Sequence, residues 1–154
     1  MKKFTHLTDD LMATISDEAD EHERKIIHEE IKAFNDAVSE YHRLARATGT
    51  RALHIIVEDE NNRIVAGLIA DTYWGWLDID DLWVTEKYRG KGIGTLLIKA
   101  AEEEAKARTC QYSQIKTFSF QARDFYQKCG YKVTGELRDY PPGNSLYWMV
   151  KVLR

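Results

Sequence analysis

Residues 81–95 of this 154-residue chain read DLWVTEKYRGKGIGT, an apolar strand that runs into a basic, glycine-rich turn. Three alternating glycines within 90–94 leave the turn without side chains that would keep a ligand away from its backbone. The apolar residues that follow recur at helical spacing and predict a helix, whose first N–H groups and positive dipole end face the turn. Together with the charges of Arg89 and Lys91, these features predict an anion-binding site.

Two nucleotide-binding motifs do not fit this turn. A Walker loop needs four residues between its first glycine and a Gly-Lys-Ser/Thr triplet, and the chain has no such run. A dinucleotide fingerprint needs Gly-x-Gly-x-x-Gly, but Thr95 stands at the last position, and residues 110–114 lack the acidic residue expected about twenty positions later. A helix that simply starts after a glycine-rich loop is the plain structural alternative.

Two segments of the chain resemble motifs of a known protein family. The order Arg-Gly-x-Gly-x-Gly after a strand ending at Val84 resembles the acetyl-CoA signature of the GNAT family of N-acetyltransferases. Residues 125–131 read FYQKCGY and resemble the family's Phe-Tyr-x-x-x-Gly-Phe/Tyr segment at the expected distance. The resemblance covers roughly residues 10–153, because the order of elements matches as well.

Composition narrows the class of protein. Apolar residues at 44% and charged residues at 31% are typical of a soluble globular domain, and a net charge of −3 argues against a general nucleic-acid binder. The cysteines Cys110 and Cys129 form neither a metal motif nor a disulfide framework, and the histidines show no metal spacing. With no signal peptide and no long apolar stretch, we expect a cytoplasmic protein with no metal and no membrane association.

Hydrophobic periodicity predicts an α+β, or mixed α/β, chain. The predicted strands are 11–16, 52–58, 63–70, 76–84, 115–118, 131–137 and 146–153. The predicted helices are 21–46, broken at Asn35-Asp36, the segment after the glycine turn, and 122–129. The resemblance implies a GNAT-type acyl-CoA N-acyltransferase fold, with a central mixed, mostly antiparallel sheet flanked by helices. We expect residues 1–154 to form a single N-acetyltransferase domain, and we expect a homodimer, which is common in such proteins.

The resemblance implies where acetyl-CoA binds. In the family, the strand ending at Val84 and the strand at 113–118 run parallel but splay apart, and acetyl-CoA enters between them. Backbone groups of 82–84 then hold the pantetheine arm, and the amides of 89–95 hold the pyrophosphate. Ser119 or Gln121 replaces an asparagine that contacts pantetheine in many relatives. The expected cofactor contacts are Leu82, Trp83, Val84, Arg89, Gly90, Lys91, Gly92, Ile93, Gly94, Thr95, Ser119, Gln121, Phe125 and Tyr126.

The reaction implied by the resemblance is direct attack of a neutral amine on the thioester carbon in a ternary complex. The developing oxyanion needs backbone donors, and the departing thiolate needs a proton or hydrogen bond. Tyr126 matches the family's tyrosine for this last role, whereas packing on a helix is the better interpretation of Phe125. Cys129 is the only thiol near the motif, so the sequence favours a mechanism without a covalent enzyme intermediate.

The strand at 76–84 is unusually acidic, and carboxylates in a core-like strand are costly unless they are paired or open to a cleft. Strict alternation predicts two faces, one with Asp78, Asp80 and Leu82, and the other with Ile79, Asp81 and Trp83. Asp80 falls where related polyamine acetyltransferases carry a glutamate that binds or deprotonates the amine. Since aspartate is shorter, we expect Asp80 to act through a water, with Asp81 as the open alternative or as a structural carboxylate.

These carboxylates predict a small cationic primary amine as the acceptor. Aromatic side chains supply walls for cation–π contact, and Asn35 lies where the family lines its acceptor pocket. The expected substrate contacts are Asn35, Trp76, Asp80, Asp81 and Tyr140. Two alternatives stay open: acetylation of a protein N-terminus or lysine, which a broad acidic groove would favour, and a non-catalytic acyl-CoA-binding sensor that binds without turnover.

Overall fold

The computed structural model describes residues 3–8, 10–18 and 20–153, and the chain divides into two compact units, Met1–Ala47 and Thr48–Arg154. Each unit has its own secondary structure. A single N-acetyltransferase domain over residues 1–154 stays a prediction.

The first unit begins with a hairpin that the sequence did not predict. Strands β1 (Lys3–Thr8) and β2 (Leu11–Ile15) pair antiparallel, so the strand predicted at 11–16 is the second strand of this hairpin. Two helices follow, α1 (Glu21–Val38) and α2 (Glu40–Thr48). None of the described helices is long and apolar enough to cross a membrane.

The break between α1 and α2 lies at Ser39, and its prediction at Asn35-Asp36 was wrong. Ser39 is extended, with φ −136° and ψ 101°, and its hydroxyl accepts the N–H of His42 at 3.1 Å. A serine that caps the next helix stops the first one, whereas Asn35 and Asp36 keep helical geometry within α1.

The second unit contains a six-stranded sheet. Its elements are β3 (Arg51–Glu58), β4 (Ile64–Tyr73), β5 (Trp76–Val84), a 3₁₀ turn (Glu86–Tyr88), α3 (Ile93–Ala107), β6 (Tyr112–Phe118), α4 (Arg123–Lys128), β7 (Lys132–Arg138) and β8 (Ser145–Val152). The strand order is β3-β4-β5-β6-β8-β7, and β5–β6 is the parallel pair among the described strands. The predicted mixed, mostly antiparallel sheet is therefore confirmed.

Helix α3 covers one face of this sheet next to β3, β4 and β5. Its buried face includes Leu97, Ile98, Ala101 and Ala105, and β4 buries every second residue from Ala66 to Thr72 beneath it. The small alanine side chains let the helix lie close to the strands.

A one-residue bulge in β5 overturns the predicted alternation of side chains. Ile69 of β4 pairs with Asp81 and Ala70 pairs with Ile79, so Asp80 is an extra residue without a partner on β4. The bulge changes which residues share a face. Ile79, Leu82 and Val84 face the core with α3, while Asp78, Asp81 and Trp83 lie on the opposite face.

The parallel pairing of β5 with β6 ends next to this bulge. It runs from Trp76 opposite Tyr112 to Ile79 opposite Ile115, and it goes no further along the described strands. Because a bulge bends its strand and increases the local twist, the second half of β5 diverges from β6. The two strands therefore splay from Asp80 onward.

A part-buried ion pair joins α3 to β8. Lys151 Nζ donates to the two carboxylate oxygens of Glu102 at 2.8 and 2.7 Å, and the Glu102 side chain is 8% exposed. Beside it, the hydroxyls of Ser113 and Tyr131 lie 2.7 Å apart, and Lys151 Nζ stands 5.6 Å from the centre of the Tyr131 ring. This polar group connects α3, β6, β8 and the start of β7.

We expect Glu102→Leu to lower the free energy of unfolding by about 2 kcal/mol, because it leaves the part-buried Lys151 ammonium without its partner. The double variant Glu102→Leu/Lys151→Met should recover most of that loss. Urea unfolding measures both. Glu103→Gln, an exposed site on the same helix, is the matched control and should change stability by less than about 0.5 kcal/mol. Equal stability of the single variant and the wild type would contradict the prediction.

Candidate active site

A cavity of about 590 Å³ lies where the end of β5, the glycine turn, α3 and α4 meet. All predicted cofactor contacts except Lys91 and Ser119 line this cavity. The lining is Leu82, Trp83, Val84, Tyr88, Arg89, Gly90, Gly92, Ile93, Gly94, Thr95, Gln121, Ala122, Phe125 and Tyr126. Their roles as cofactor contacts stay predictions, but residues far apart in sequence meet at one place.

The glycine turn has the backbone geometry of an anion site. Gly90 and Gly92 have φ of 73° and 81°, and a Cβ at either position would meet nothing within 4 Å, so the turn is open on that side. The first backbone bond of α3 runs from Leu96 N to Gly92 O at 3.0 Å. The N–H groups of residues 93–95 thus have no acceptor within the helix and are available to a ligand such as a pyrophosphate.

Gly94 has a different reason to be glycine. A Cβ at this position would stand 3.1 Å from Cζ of Phe125, which is closer than carbon atoms normally approach. Because Gly94 has no Cβ, the Phe125 ring of α4 can pack against the first turn of α3. The third glycine of the motif therefore makes room for an aromatic ring that lines the cavity.

Basic and aromatic side chains surround the turn. Arg89 Nε donates to the carbonyl of Val84 at 2.9 Å, which holds the turn against the end of β5. The ammonium groups of Lys91 and Lys87 stand 5.1 and 5.3 Å from the centre of the Tyr88 ring. Tyr88 was missed by the sequence reasoning, although an aromatic residue between basic ones just before the glycines was the available signal.

Among the residues that line the cavity, Tyr126 has a strongly raised pKa. It is 6% exposed and contacts the rings of Phe125 and Tyr131 edge to face. Burial, followed by the proximity of Cys129 and Asp81, raises the pKa of Tyr126 to about 12. The hydroxyl is therefore protonated at neutral pH and able to donate a proton or a hydrogen bond.

The carboxylates of β5 have distinct partners. Asp78 accepts a hydrogen bond from the Tyr73 hydroxyl at 3.1 Å. Asp80 and Asp81 are exposed. Desolvation and then the nearby charges of Asp78, Asp71 and Asp81 raise the pKa of Asp80, while Lys116 opposes the rise. A raised pKa makes this carboxylate a better base than an ordinary aspartate.

Ser119 and Gln121 differ in their surroundings. Gln121 Oε1 accepts the N–H of Phe118 at 2.8 Å and the hydroxyl of Thr117 at 3.3 Å, which leaves its amide nitrogen as the group for a ligand in the cavity. The Ser119 hydroxyl donates to Asn144 Oδ1 at 3.1 Å and accepts the N–H of Ser145 at 3.1 Å. Ser119 thus anchors the β7–β8 loop, and Gln121 is the better placed of the two.

The remaining predicted substrate residues are spread over the chain. Asn35 is part of α1 in the first unit. Trp76 stacks on Tyr112 with ring centres 4.7 Å apart, where β5 and β6 are still paired, and Tyr140 lies in the β7–β8 loop. Their contacts with an acceptor stay predictions. Across the described part of the chain, no group of three or more His, Cys, Asp or Glu residues is arranged to hold a metal ion.

The sheet, the splay and the lined cavity define an acyl-CoA N-acyltransferase. Residues 11–131 match the Acetyltransferase (GNAT) family, and the chain belongs to that family. It is an acetyl-CoA-dependent N-acetyltransferase, as the resemblance indicated.

Named relatives agree with this class. Blasticidin-S acetyltransferase of Streptomyces morookaense is 41% identical over 95 residues, which cover 61% of this chain and 70% of that protein. An acetyltransferase of Agrobacterium fabrum (strain C58) is 34% identical over 139 residues, covering 89% of this chain and 96% of that protein. The crystal structure of an acetyltransferase from Bacillus cereus ATCC 14579 superposes with a TM-score of 0.78 at 28% identity, covering 90% of this chain and 96% of that one.

We expect Gly94→Ala to weaken acetyl-CoA binding by about tenfold, because the new methyl group displaces Phe125 into the cavity. Calorimetric titration with acetyl-CoA measures the change. Adding Phe125→Leu should restore part of the affinity, since leucine leaves room for the methyl group. Gly135→Ala is the control, as its Cβ would meet Trp148 at an ordinary 3.7 Å. Unchanged affinity in Gly94→Ala would show that this packing does not shape the site.

Proposed function

We propose that this protein transfers the acetyl group of acetyl-CoA to a primary amine of a small cationic molecule, by direct attack within a ternary complex. The observation that carries the proposal is the splay at Asp80. It brings an open strand edge and a cavity next to exposed carboxylates and next to the protonated hydroxyl of Tyr126. The carboxylates can attract an ammonium group and accept its proton. The free strand edge can bond to the thioester carbonyl, and the tyrosine hydroxyl can donate to the thioester sulfur.

Acetyl-CoA supplies a thioester, whose acetyl carbon is the electrophile and whose thiolate is the leaving group. Different residues of the chain bind different parts of acetyl-CoA. The amides of 93–95 and the side chain of Arg89 bind the pyrophosphate, and the free edge of β5 over 82–84 orients the thioester carbonyl.

Proton transfer follows from the two titratable sites. Asp80, through a water, accepts the proton that the substrate ammonium must lose before its nitrogen can bond to the acetyl carbon. As the new C–N bond forms and the C–S bond breaks, Tyr126 donates to the sulfur. The nitrogen loses a second proton when the tetrahedral intermediate collapses, and this proton replaces the one that Tyr126 gives up. The proton taken through Asp80 passes to solvent, so the products are an acetamide, a free thiol and one proton.

The acceptor class rests on charge. The charges of Asp71, Asp78 and Asp81 act on Asp80, and Lys116 is the cation that opposes them there. Such a group of carboxylates attracts an ammonium group. One relative is named for acetylation of blasticidin S, which supports a small-molecule acceptor over a protein chain. A cytoplasmic location and a homodimer remain part of the proposal from sequence.

We expect Asp80→Asn to lower kcat/KM for an amine by about 100-fold and to remove the acid limb of its pH profile. Asp81→Asn should instead keep activity and move that limb to lower pH. The sign follows because Asp81 raises the pKa of Asp80, so its removal lets Asp80 ionise at lower pH. Free-thiol release across pH measures both variants, with Asp59→Asn in the β3–β4 turn as the control. Loss of the limb in Asp81→Asn rather than in Asp80→Asn would transfer the role of base to Asp81.

We expect Tyr126→Phe to lower kcat by about 100-fold while acetyl-CoA affinity changes little, because the ring is kept and only the proton donor is lost. With a pKa of about 12, the hydroxyl titrates above the accessible range, so the shape of the pH profile should not change. Single-turnover kinetics and calorimetry separate the two effects. A sensor module would bind acetyl-CoA without turnover of any amine, and that result would overturn the proposed function.

A further inference from the structure

Three aromatic rings form a stack at the end of β6 that the proposed mechanism does not use. The rings of Phe118 and Phe120 have centres 5.2 Å apart and planes only 4° from parallel. The Tyr140 ring also stacks on Phe118, with centres 6.4 Å apart and an angle of 25° between the planes. Phe120 is 62% exposed and Tyr140 is 56% exposed, so two of the three residues are open to solvent.

Hydrogen bonds hold the two segments that carry the stack. The Ser119 hydroxyl bonds to Asn144 and accepts the N–H of Ser145, while the N–H of Ser119 donates to Ser145 O at 2.8 Å. Within the β7–β8 loop, the N–H of Tyr140 donates to Asn144 O at 3.0 Å, and Asp139 accepts the N–H of Gly143 at 2.7 Å. The stack is therefore built before a ligand arrives, which reduces the entropy lost on binding.

Phe118, the strand residue of the stack, lies on the same face of the sheet as two of the β5 carboxylates. Gln114 pairs in parallel with Asp78, so alternation along β6 places Phe118 on the face that carries Asp78 and Asp81. The N–H of Phe118 also bonds to Gln121, which lines the cofactor cavity. On this face, β5 thus carries acids, and β6 carries Lys116 followed by the first ring of the aromatic stack.

We propose that the acceptor amine carries a planar conjugated ring, aryl or heteroaryl, which extends the Phe118–Phe120–Tyr140 stack while its ammonium group faces Asp80. Parallel rings with exposed faces favour a further flat ring, because offset stacking needs a π-face on both partners. A saturated ring or a linear polyamine fills the same space without this contact. The inference rests on the proposed function and narrows its acceptor class; Phe120 and Tyr140 then act as specificity-determining residues.

The test compares amines that differ only in ring planarity. Benzylamine and phenethylamine are measured against cyclohexylmethylamine and cyclohexylethylamine by free-thiol release with saturating acetyl-CoA. We expect the wild type to favour each aromatic amine in kcat/KM by about tenfold. Phe120→Leu should reduce that ratio to near one without changing the KM for acetyl-CoA, and Phe120→Tyr should keep the ratio because it keeps the ring.

Trp74→Asn is the matched control. Trp74 is an exposed aromatic residue in the β4–β5 turn, at the other end of β5 from the splay, and asparagine tolerates its φ of 52°. The aromatic preference should survive this change. Turnover of aromatic and saturated amines with equal kcat/KM, or a preference that persists in Phe120→Leu, would overturn the ring inference alone. Absence of turnover with every amine would overturn the proposed function, and the ring inference with it.

Discussion

The single extra residue in β5 is the constraint on which the site depends. Because Asp80 has no partner on β4, the strand bends, and its parallel pairing with β6 stops at Ile79. The divergence leaves an edge of β5 free that would otherwise be hydrogen-bonded to β6, and it opens the space beside α4. The same extra residue turns Asp81 to the face that already carries Asp78. A local irregularity therefore accounts for both the free strand edge and the face that two carboxylates share.

Around that opening, burial separates two protonation states. Tyr126 is held almost completely out of solvent, so its hydroxyl keeps its proton at neutral pH. Asp80 ionises more readily than the tyrosine, although partial desolvation and then its carboxylate neighbours raise its pKa above the ordinary value. An acid that stays protonated and a base that can lose its proton are what an aminolysis needs on its two sides. The difference in protonation between Tyr126 and Asp80 thus follows from how far each side chain is buried and from the charges around it.

Much of the fold was predictable because local signals and packing agree. The hairpin at β3–β4, the acidic β5, the glycine turn and the helix after it follow from periodicity and from residues such as Gly92 that favour one backbone geometry. The misses have physical reasons. Ser39 stops α1 through a cap formed with the next helix, and Asn35-Asp36 resemble a break although they remain helical. The β1–β2 hairpin depends on pairing between strands that carry weak separate signals.

The sequence alone determined the class of the site, because glycines before a helix and the Phe125-Tyr126 pair are local features whose chemistry does not depend on distant contacts. It also indicated that β5 is acidic. Only the tertiary structure decided which carboxylates share a face, since a bulge is set by pairing with β4 and not by the composition of β5. Likewise, only the folded chain shows that Gly94 makes room for Phe125, that Ser119 anchors a loop, and that Phe118, Phe120 and Tyr140 stack. Most of those contacts join residues from different elements, and a pattern along one strand or helix contains no information about its partners.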